Sequence, residues 1–293
     1  MGHNQIVKTP PPHPRSLRIA TWNIHKGVRG IGLRKRLEIH NMLHAVEQFD
    51  ADIVCLQEVR RVNRKEAAHF TRWPELPQAD YLAPEGYEAV YRTNAHTRHG
   101  EHGNALLSRW PVIDHQHEDM SDHRFEQRGL LHTEVMAHGQ AVHVIVVHLG
   151  LIAASRTRQL DQLQKFIQRE VPHDAPLIVA GDFNSPIAPV KWAQAAMKNV
   201  ANKAPGGEKH SVSSIPKQSK IKTATTTATS LLTRNATFPS RLPLVQLDHI
   251  FLRHATQVAV HVPRGAIWAQ MSDHLPLIMD IHLDEKLDKK VRA

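Results

Sequence analysis

Polar residues that a strand end does not need sit beside the apolar runs of this 293-residue chain. Asn23 follows Ile19-Ala20-Thr21-Trp22, and Glu58 follows Ile53-Val54-Cys55-Leu56-Gln57. His148 follows Val144-Ile145-Val146-Val147, and Asp182 and Asn184 follow Leu177-Ile178-Val179-Ala180-Gly181. Asp248 precedes Ile250-Phe251-Leu252, and Asp273-His274 precede Leu275-Pro276-Leu277-Ile278. Each taken singly has a plain structural reading, as a turn former, a cap or a satisfied core histidine. Together they provide what hydrolysis of an anionic phosphodiester requires: oxygen donors for a cation, a carboxylate to align water, and imidazoles to handle protons. The chain lacks a glycine-rich phosphate cradle with its lysine, and no Ser or Cys sits in a nucleophile motif, so water is the expected nucleophile.

If the strands share one end, these groups converge at one rim. Strands are expected at 17–23, 53–56, 104–108, 129–135, 142–148, 177–180, 247–252 and 275–281, with VHVIVVH (142–148) the strongest signal. Leu37, Met42, Leu43, Val46 and Phe49 have helical spacing within 33–49. A second helix carries Leu160, Leu163, Phe166 and Ile167 on one stripe, with Ser155 as its expected cap. The expected class is α/β, two mixed sheets face to face with helices covering them.

The ordered set of stretches TWNIHKG (21–27), LQEVR (56–60), HGNALLSRWP (102–111), QRGLLHTEV (127–135), VVHLG (146–150), VAGDFNSP (179–186), QLDHIFL (246–252) and SDHLPL (272–277) resembles the endonuclease/exonuclease/phosphatase superfamily. The resemblance runs from about 17 to 283. It implies a four-layered α/β sandwich of the deoxyribonuclease I kind, with the site at the rim between the sheets. It also implies roles. Glu58, helped by Asn23 and Asp273, would hold Mg²⁺, with Mn²⁺ as a substitute, since oxygen ligands suit a hard octahedral cation. Asp182, oriented by Asn184, would align or deprotonate water. His274, paired with Asp248, would bond the scissile phosphate, and His148 would act near the leaving oxygen as general acid. Arg128 would contact the phosphate, and Asn104 or His102 the substrate. The activity implied is a metal-dependent phosphodiesterase. A nuclease acting on DNA, or else RNA, is favoured, and a phosphatase or phospholipid diesterase is the alternative.

Charge bears on the substrate. The formal net charge is +9. Residues 1–15 carry +2, residues 201–237 carry +5 and residues 284–293 carry +1, so little excess belongs to the rest of the chain. A basic loop tracks a phosphate backbone by counterion release, although a solvated linker has the same composition. The expected organisation is a Pro-rich flexible leader (1–15), one domain (16–283) interrupted by a partly disordered Ser/Thr/Lys-rich loop (201–237), and a charged tail (284–293). No apolar run reaches the length of a membrane span, and the first residues do not read as a secretory signal. Cys55 is the single cysteine and lies in an apolar run. This excludes an intrachain disulfide and a Cys-based zinc cluster, and accords with a reducing cytoplasm. A monomer is expected.

Overall fold

A computed structural model of the chain describes residues 14–30, 32–197 and 235–284. Elements are numbered in chain order. One six-stranded sheet contains β1 (Ser16–Asn23), β4 (Ile53–Val59), β5 (Glu88–Thr97), β6 (Gly100–Ser108), β12 (Ala255–His261) and β13 (Leu277–Leu283), in the order β12-β13-β1-β4-β6-β5. A five-stranded sheet contains β7 (Val112–Asp119), β8 (Gly129–Ala137), β9 (Gln140–His148), β10 (Leu177–Asp182) and β11 (Asp248–Arg253), in the order β11-β10-β9-β8-β7. A small ribbon pairs β2 (Val28–Arg29) with β3 (Arg36–Leu37).

Alternation along the strands builds the layers, because successive side chains point to opposite faces. Leu17, Ile19, Ile53 and Cys55 of the first sheet meet Leu131, Val144, Val146, Ile178 and Ala180 of the second in the central core. Their strand neighbours Ala20, Trp22, Val54 and Leu56 face outward onto Ile39, Met42, Val46 and Phe49 of α1 (Ile39–Phe49) and onto Leu82 of α3 (Gln78–Leu82), which follows the short α2 (Arg64–His69). On the far side, Ile145, Val147, Leu177 and Val179 pack against Leu160, Leu163, Phe166 and Ile167 of α4 (Ala153–Glu170) and Trp192 of α5 (Ala188–Ala196). The result is the expected four-layered sandwich, helix on sheet on sheet on helix. Strands buried on both faces are apolar throughout, which is why the central ones read so clearly in the sequence. Cys55 lies between the sheets, and burial pushes its thiol up, as expected of an inert packing residue.

The parallel pairs position the site. β1 runs parallel to β4 with Asn23 opposite Gln57, and β9 runs parallel to β10 with His148 opposite Asp182. All four strands therefore finish at one rim. β11 starts there antiparallel to β10, with Asp248 opposite Asp182.

Several local expectations change. Residues 33–37 do not begin the first helix; they form a single 3₁₀ turn and β3, and α1 starts at Ile39. Ser155 is not a cap: it lies inside α4, and its hydroxyl donates to Asp122 at 2.6 Å. β5, β7 and β12 carry mixed residues and gave no periodic signal; all three are edge strands with one open side. Most of the 201–237 loop lies outside the described residues, as do nearly all of the leader and the tail. Ala236 and Thr237, at its expected end, belong instead to the packed domain and are fully buried. Among the described residues no helix is long and apolar enough to cross a membrane.

Candidate active site

Asp182 is the centre of the rim. Gly181 precedes it at φ 149°, and a Cβ there would lie 1.9 Å from the Val147 carbonyl oxygen. Only glycine lets β10 close against β9 at this point, which brings Asp182 beside His148. The Asp182 Oδ2 faces three groups: Asn23 Nδ2 donates at 3.1 Å, His148 Nε2 lies at 3.5 Å and His274 Nε2 at 3.7 Å. Its Oδ1 accepts from the Asn184 backbone N–H at 2.9 Å. Asn184 holds a left-handed turn at φ 49° and donates its amide to the Leu149 carbonyl at 2.8 Å, tying this turn to the end of β9. Burial raises the Asp182 carboxyl against the opposing pull of His274 and His148.

His274 joins the two aspartates. Its Nδ1 pairs with Asp248 Oδ2 at 2.8 Å, and Asp248 also accepts from the Thr237 hydroxyl at 2.6 Å. Burial disfavours a charged imidazole, yet Asp248 and then Asp182 outweigh it and push His274 up to about 10. The histidine is thus an imidazolium at neutral pH. His148 is the opposite case, since burial and then the Arg128 charge hold it down at about 4, neutral. Two histidines bordering one carboxylate rest in different protonation states.

Glu58 joins this centre through Asn23. A register shift between Leu56 and Val59 interrupts the pairing of β4 with β6, and Glu58 adopts φ 56°. Such a bulge re-aims a side chain, here into the rim. Burial favours the neutral acid, but Lys26 and His148 overcome it and hold the carboxyl well below its usual range. Lys26 Nζ lies 2.7 Å from Glu58 Oε2, and Asn23 Nδ2 donates to Oε1 at 3.4 Å. Asn23 presents its nitrogen to both carboxylates, while its oxygen accepts from the His25 N–H at 3.0 Å. Asp273 is less buried and faces His25 Nδ1 at 3.3 Å. The loop carrying it is pinned to β1: Ser272 Oγ donates to the Asn23 carbonyl at 2.7 Å and Trp22 Nε1 to the His274 carbonyl at 2.9 Å.

The remaining expected residues fall at different depths. Arg128 lies near His148, but its guanidinium is already engaged with the Leu149 and Gln127 carbonyls and with Glu126 Oε1 at 3.1 Å. His102 lies close enough to Glu58 and Lys26 to feel their charge; burial first, then Lys26, lowers it to about 4. Asn104 is fully buried, and its amide bridges the sheets by donating to the Gly129 and Val146 carbonyls at 2.9 and 3.1 Å. The structure adds Lys26, His25, Thr237 and Phe238, whose ring lies 5.0 Å from that of His274. Lys26 was visible inside TWNIHKG. Thr237 was hidden because it was taken for the end of a polar loop, and Phe238 lay in no expected element.

Comparison with known proteins agrees with this geometry. The sequence profile of the endonuclease/exonuclease/phosphatase family matches residues 20–274. The protein YbhP of Escherichia coli (strain K12) is 34% identical over 271 residues, spanning 92% of this chain and 97% of that protein. Among solved structures, the endonuclease/exonuclease/phosphatase from Bacteroides vulgatus superposes with a TM-score of 0.62 at 17% identity, covering 92% of this chain and 99% of that one. ANGEL2, a 2′,3′-cyclic phosphatase, superposes at 0.59 with 15% identity, covering 92% and 96%. D. rerio TDP2 in complex with a single-strand DNA product superposes at 0.56 with 19% identity, covering 91% and 99%. At these identities the structures share the fold. The profile match and the YbhP relationship establish that this chain belongs to the endonuclease/exonuclease/phosphatase family, whose members are hydrolases of phosphoester bonds.

Proposed function

We propose that the protein is a divalent-cation-dependent phosphodiester hydrolase whose substrate is nucleic acid, DNA before RNA, with water as the nucleophile. The observation that carries the chemistry is Asp182 Oδ2 facing His148, His274 and Asn23 within 3.7 Å. Support for a nucleic acid comes from the fold shared with TDP2 bound to a DNA product and from the basic excess of the sequence.

The donor set fits Mg²⁺, or Mn²⁺ in its place. Glu58 stays ionised in a buried setting and already accepts a cation, the Lys26 ammonium, at 2.7 Å. Asp273 would complete the oxygen set, with Asn23 steadying both carboxylates of the rim. When bound, the ion neutralises charge developing on the phosphate. Asp182, Asp248 and His274 also bring ligand atoms within 4.8 Å of one another. We assign them instead to proton and phosphate handling, because Glu58 and Asp273 offer the all-oxygen donor set that suits Mg²⁺.

In this reading the His274 imidazolium bonds a non-bridging phosphate oxygen, held in orientation by Asp248. Asp182, fixed by Asn184, accepts a hydrogen bond from the attacking water and takes its proton. His148 rests neutral. An incoming phosphate anion raises its proton affinity, so that His148 takes up a proton from solvent as substrate binds and passes it to the leaving oxygen. Arg128 supports the phosphate from the His148 side.

A second reading is a diesterase of phospholipid headgroups. It draws on Phe125 and Leu151, 82% and 69% exposed, which flank the Glu126–Arg128 pair. Incubation with supercoiled plasmid, single-stranded DNA, RNA, a chromogenic phosphodiester and a phosphatidyl lipid, with and without Mg²⁺, separates the two. Cleavage of lipid with every nucleic acid left intact would overturn the nuclease reading. We further propose that the protein acts as a monomer in the cytoplasm, in keeping with its lone buried thiol.

A further inference from the structure

Beside the catalytic rim, rather than in it, lies a cavity of about 610 Å³ lined by Arg36, Ser240, Arg241, Arg264, Gln270 and Leu275 among others. Its wall is the back of the catalytic loop. Ser240 donates its N–H to the Asp273 carbonyl and its hydroxyl to the Ser272 carbonyl, both at 2.7 Å, and the Leu275 N–H donates to the Thr237 carbonyl at 2.8 Å. Guanidinium groups are concentrated here: Arg36, Arg241 and Arg264 line the cavity, and Arg29 lies within electrostatic range of Arg36 and Arg241. Arg29 and Arg36 are direct cross-strand partners on the β2–β3 ribbon. Arg29 is close enough to Arg241 and Asp273 to interact electrostatically with both. The Arg264 guanidinium donates to the Ala236 carbonyl at 3.4 Å.

Two carboxylates, Glu38 and Asp273, lie near Arg29, Arg36 and Arg241. Glu38 pairs with Arg36 at 3.1 Å, and Asp273 faces His25 at 3.3 Å and also attracts Arg29. Arg241 is exposed and makes no ion pair among the described residues. Like charges placed opposite one another on a two-stranded ribbon disfavour it. An anion spanning the ribbon and the 240–241 turn would turn that repulsion into attraction, and a guanidinium fork matches phosphate oxygens. A polynucleotide presents further phosphates next to the scissile one, whereas a single diester does not.

We propose that Arg29, Arg36, Arg241 and Arg264 form a second phosphate subsite, which receives a backbone phosphate flanking the one held by His274. The inference rests on the nuclease reading and names the part of the strand that this face takes. It makes the enzyme select for chain length.

The test compares wild type, R241Q and R36Q/R241Q on an oligothymidylate dodecamer and on thymidine 5′-(p-nitrophenyl phosphate), each at two salt concentrations. The double variant should raise KM for the dodecamer about tenfold and flatten its salt dependence by about 0.7 per lost contact on a single strand. Turnover of the single diester should stay within twofold of wild type. R241Q alone changes only an exposed side chain, keeps the test valid if the double variant folds poorly, and should shift KM in the same direction. An active wild type whose dodecamer KM is indifferent to both variants would overturn the subsite alone. A wild type that hydrolyses the single diester but neither binds nor cuts the dodecamer would overturn the nuclease reading, and the subsite with it.

Discussion

Asp182 and Asp248 are register partners on adjacent antiparallel strands, and one imidazole, that of His274, faces a carboxylate oxygen of each. Two acids directly opposite one another in a ladder repel, so the buried pair depends on the proton His274 carries. Replacing Asp248 with Asn removes the nearer anion, and His274 should fall from about 10 toward its ordinary value. The alkaline limb of the kcat/KM profile should then move to lower pH, with activity at pH 8 down by about 30-fold, the fraction of His274 that stays protonated at its ordinary pKa. An alkaline limb unmoved in D248N would show that this histidine does not govern it.

Asp182→Asn and His274→Ala should each cost several orders of magnitude in rate and leave the fold intact, because both act on the reacting groups rather than in packing. Circular dichroism and gel filtration check the fold beside the kinetics. Leu163→Ala, in the core under α4, is the contrasting variant. It should lose about 2–5 kcal/mol of stability while its folded fraction keeps normal specific activity. Normal specific activity in folded D182N would remove Asp182 from the mechanism.

Excess EDTA should abolish activity, and Mg²⁺ or Mn²⁺ should restore it. Metal binding should also register without turnover. Titrated MgCl₂ should raise the Tm of the wild type through ligand-linked stabilisation, and this rise should be largely lost in Glu58→Gln. Equal thermal shifts in both proteins would place the ion elsewhere.

Acid should destabilise the fold in a defined window. His102, His132, His148 and His249 are all held down at about 4, chiefly by burial. Their folded pKa lies below the unfolded value of about 6.5, so the unfolded chain takes up protons that the folded one refuses. Stability should therefore fall as pH drops from about 6.5 to 4, with about four protons taken up on unfolding near pH 5. His274 works in the opposite sense. Its raised pKa contributes stability that is fully present below about 6.5 and is lost as pH rises toward 10. Urea unfolding from pH 4 to 10 checks both limbs, and a flat acid limb would contradict the burial of these imidazoles.

The residue types at the rim and the central strands that carry them were legible in the sequence. A strand covered on both faces must be apolar throughout, so IVCL, VIVV and LIVA announce themselves, and a polar residue at the end of such a run stands out. The stripe of α4 was legible for the same reason: 3.6-residue periodicity follows from burying one helix face. The edge strands β5, β7 and β12 were not, since their open sides admit mixed residues that periodicity does not separate from loops, whereas the edge strand β11 keeps the apolar run Ile250-Phe251-Leu252 and was legible.

Which groups touch was a matter for the tertiary structure. Asn23 and Asp182 are 159 residues apart in sequence, and only the facing of the two sheets brings them to 3.1 Å. Thr237 reads as the end of a polar segment until the chain returns and buries its hydroxyl against Asp248. Arg29 and Arg36 carry no periodic signal, and only the ribbon sets them opposite one another. Sequence alone determined the kinds of groups available, because burial constrains composition strand by strand. The protonation of His148 and His274 was decided only in three dimensions, because a pKa depends on the charges and the solvent that the fold places around each ring.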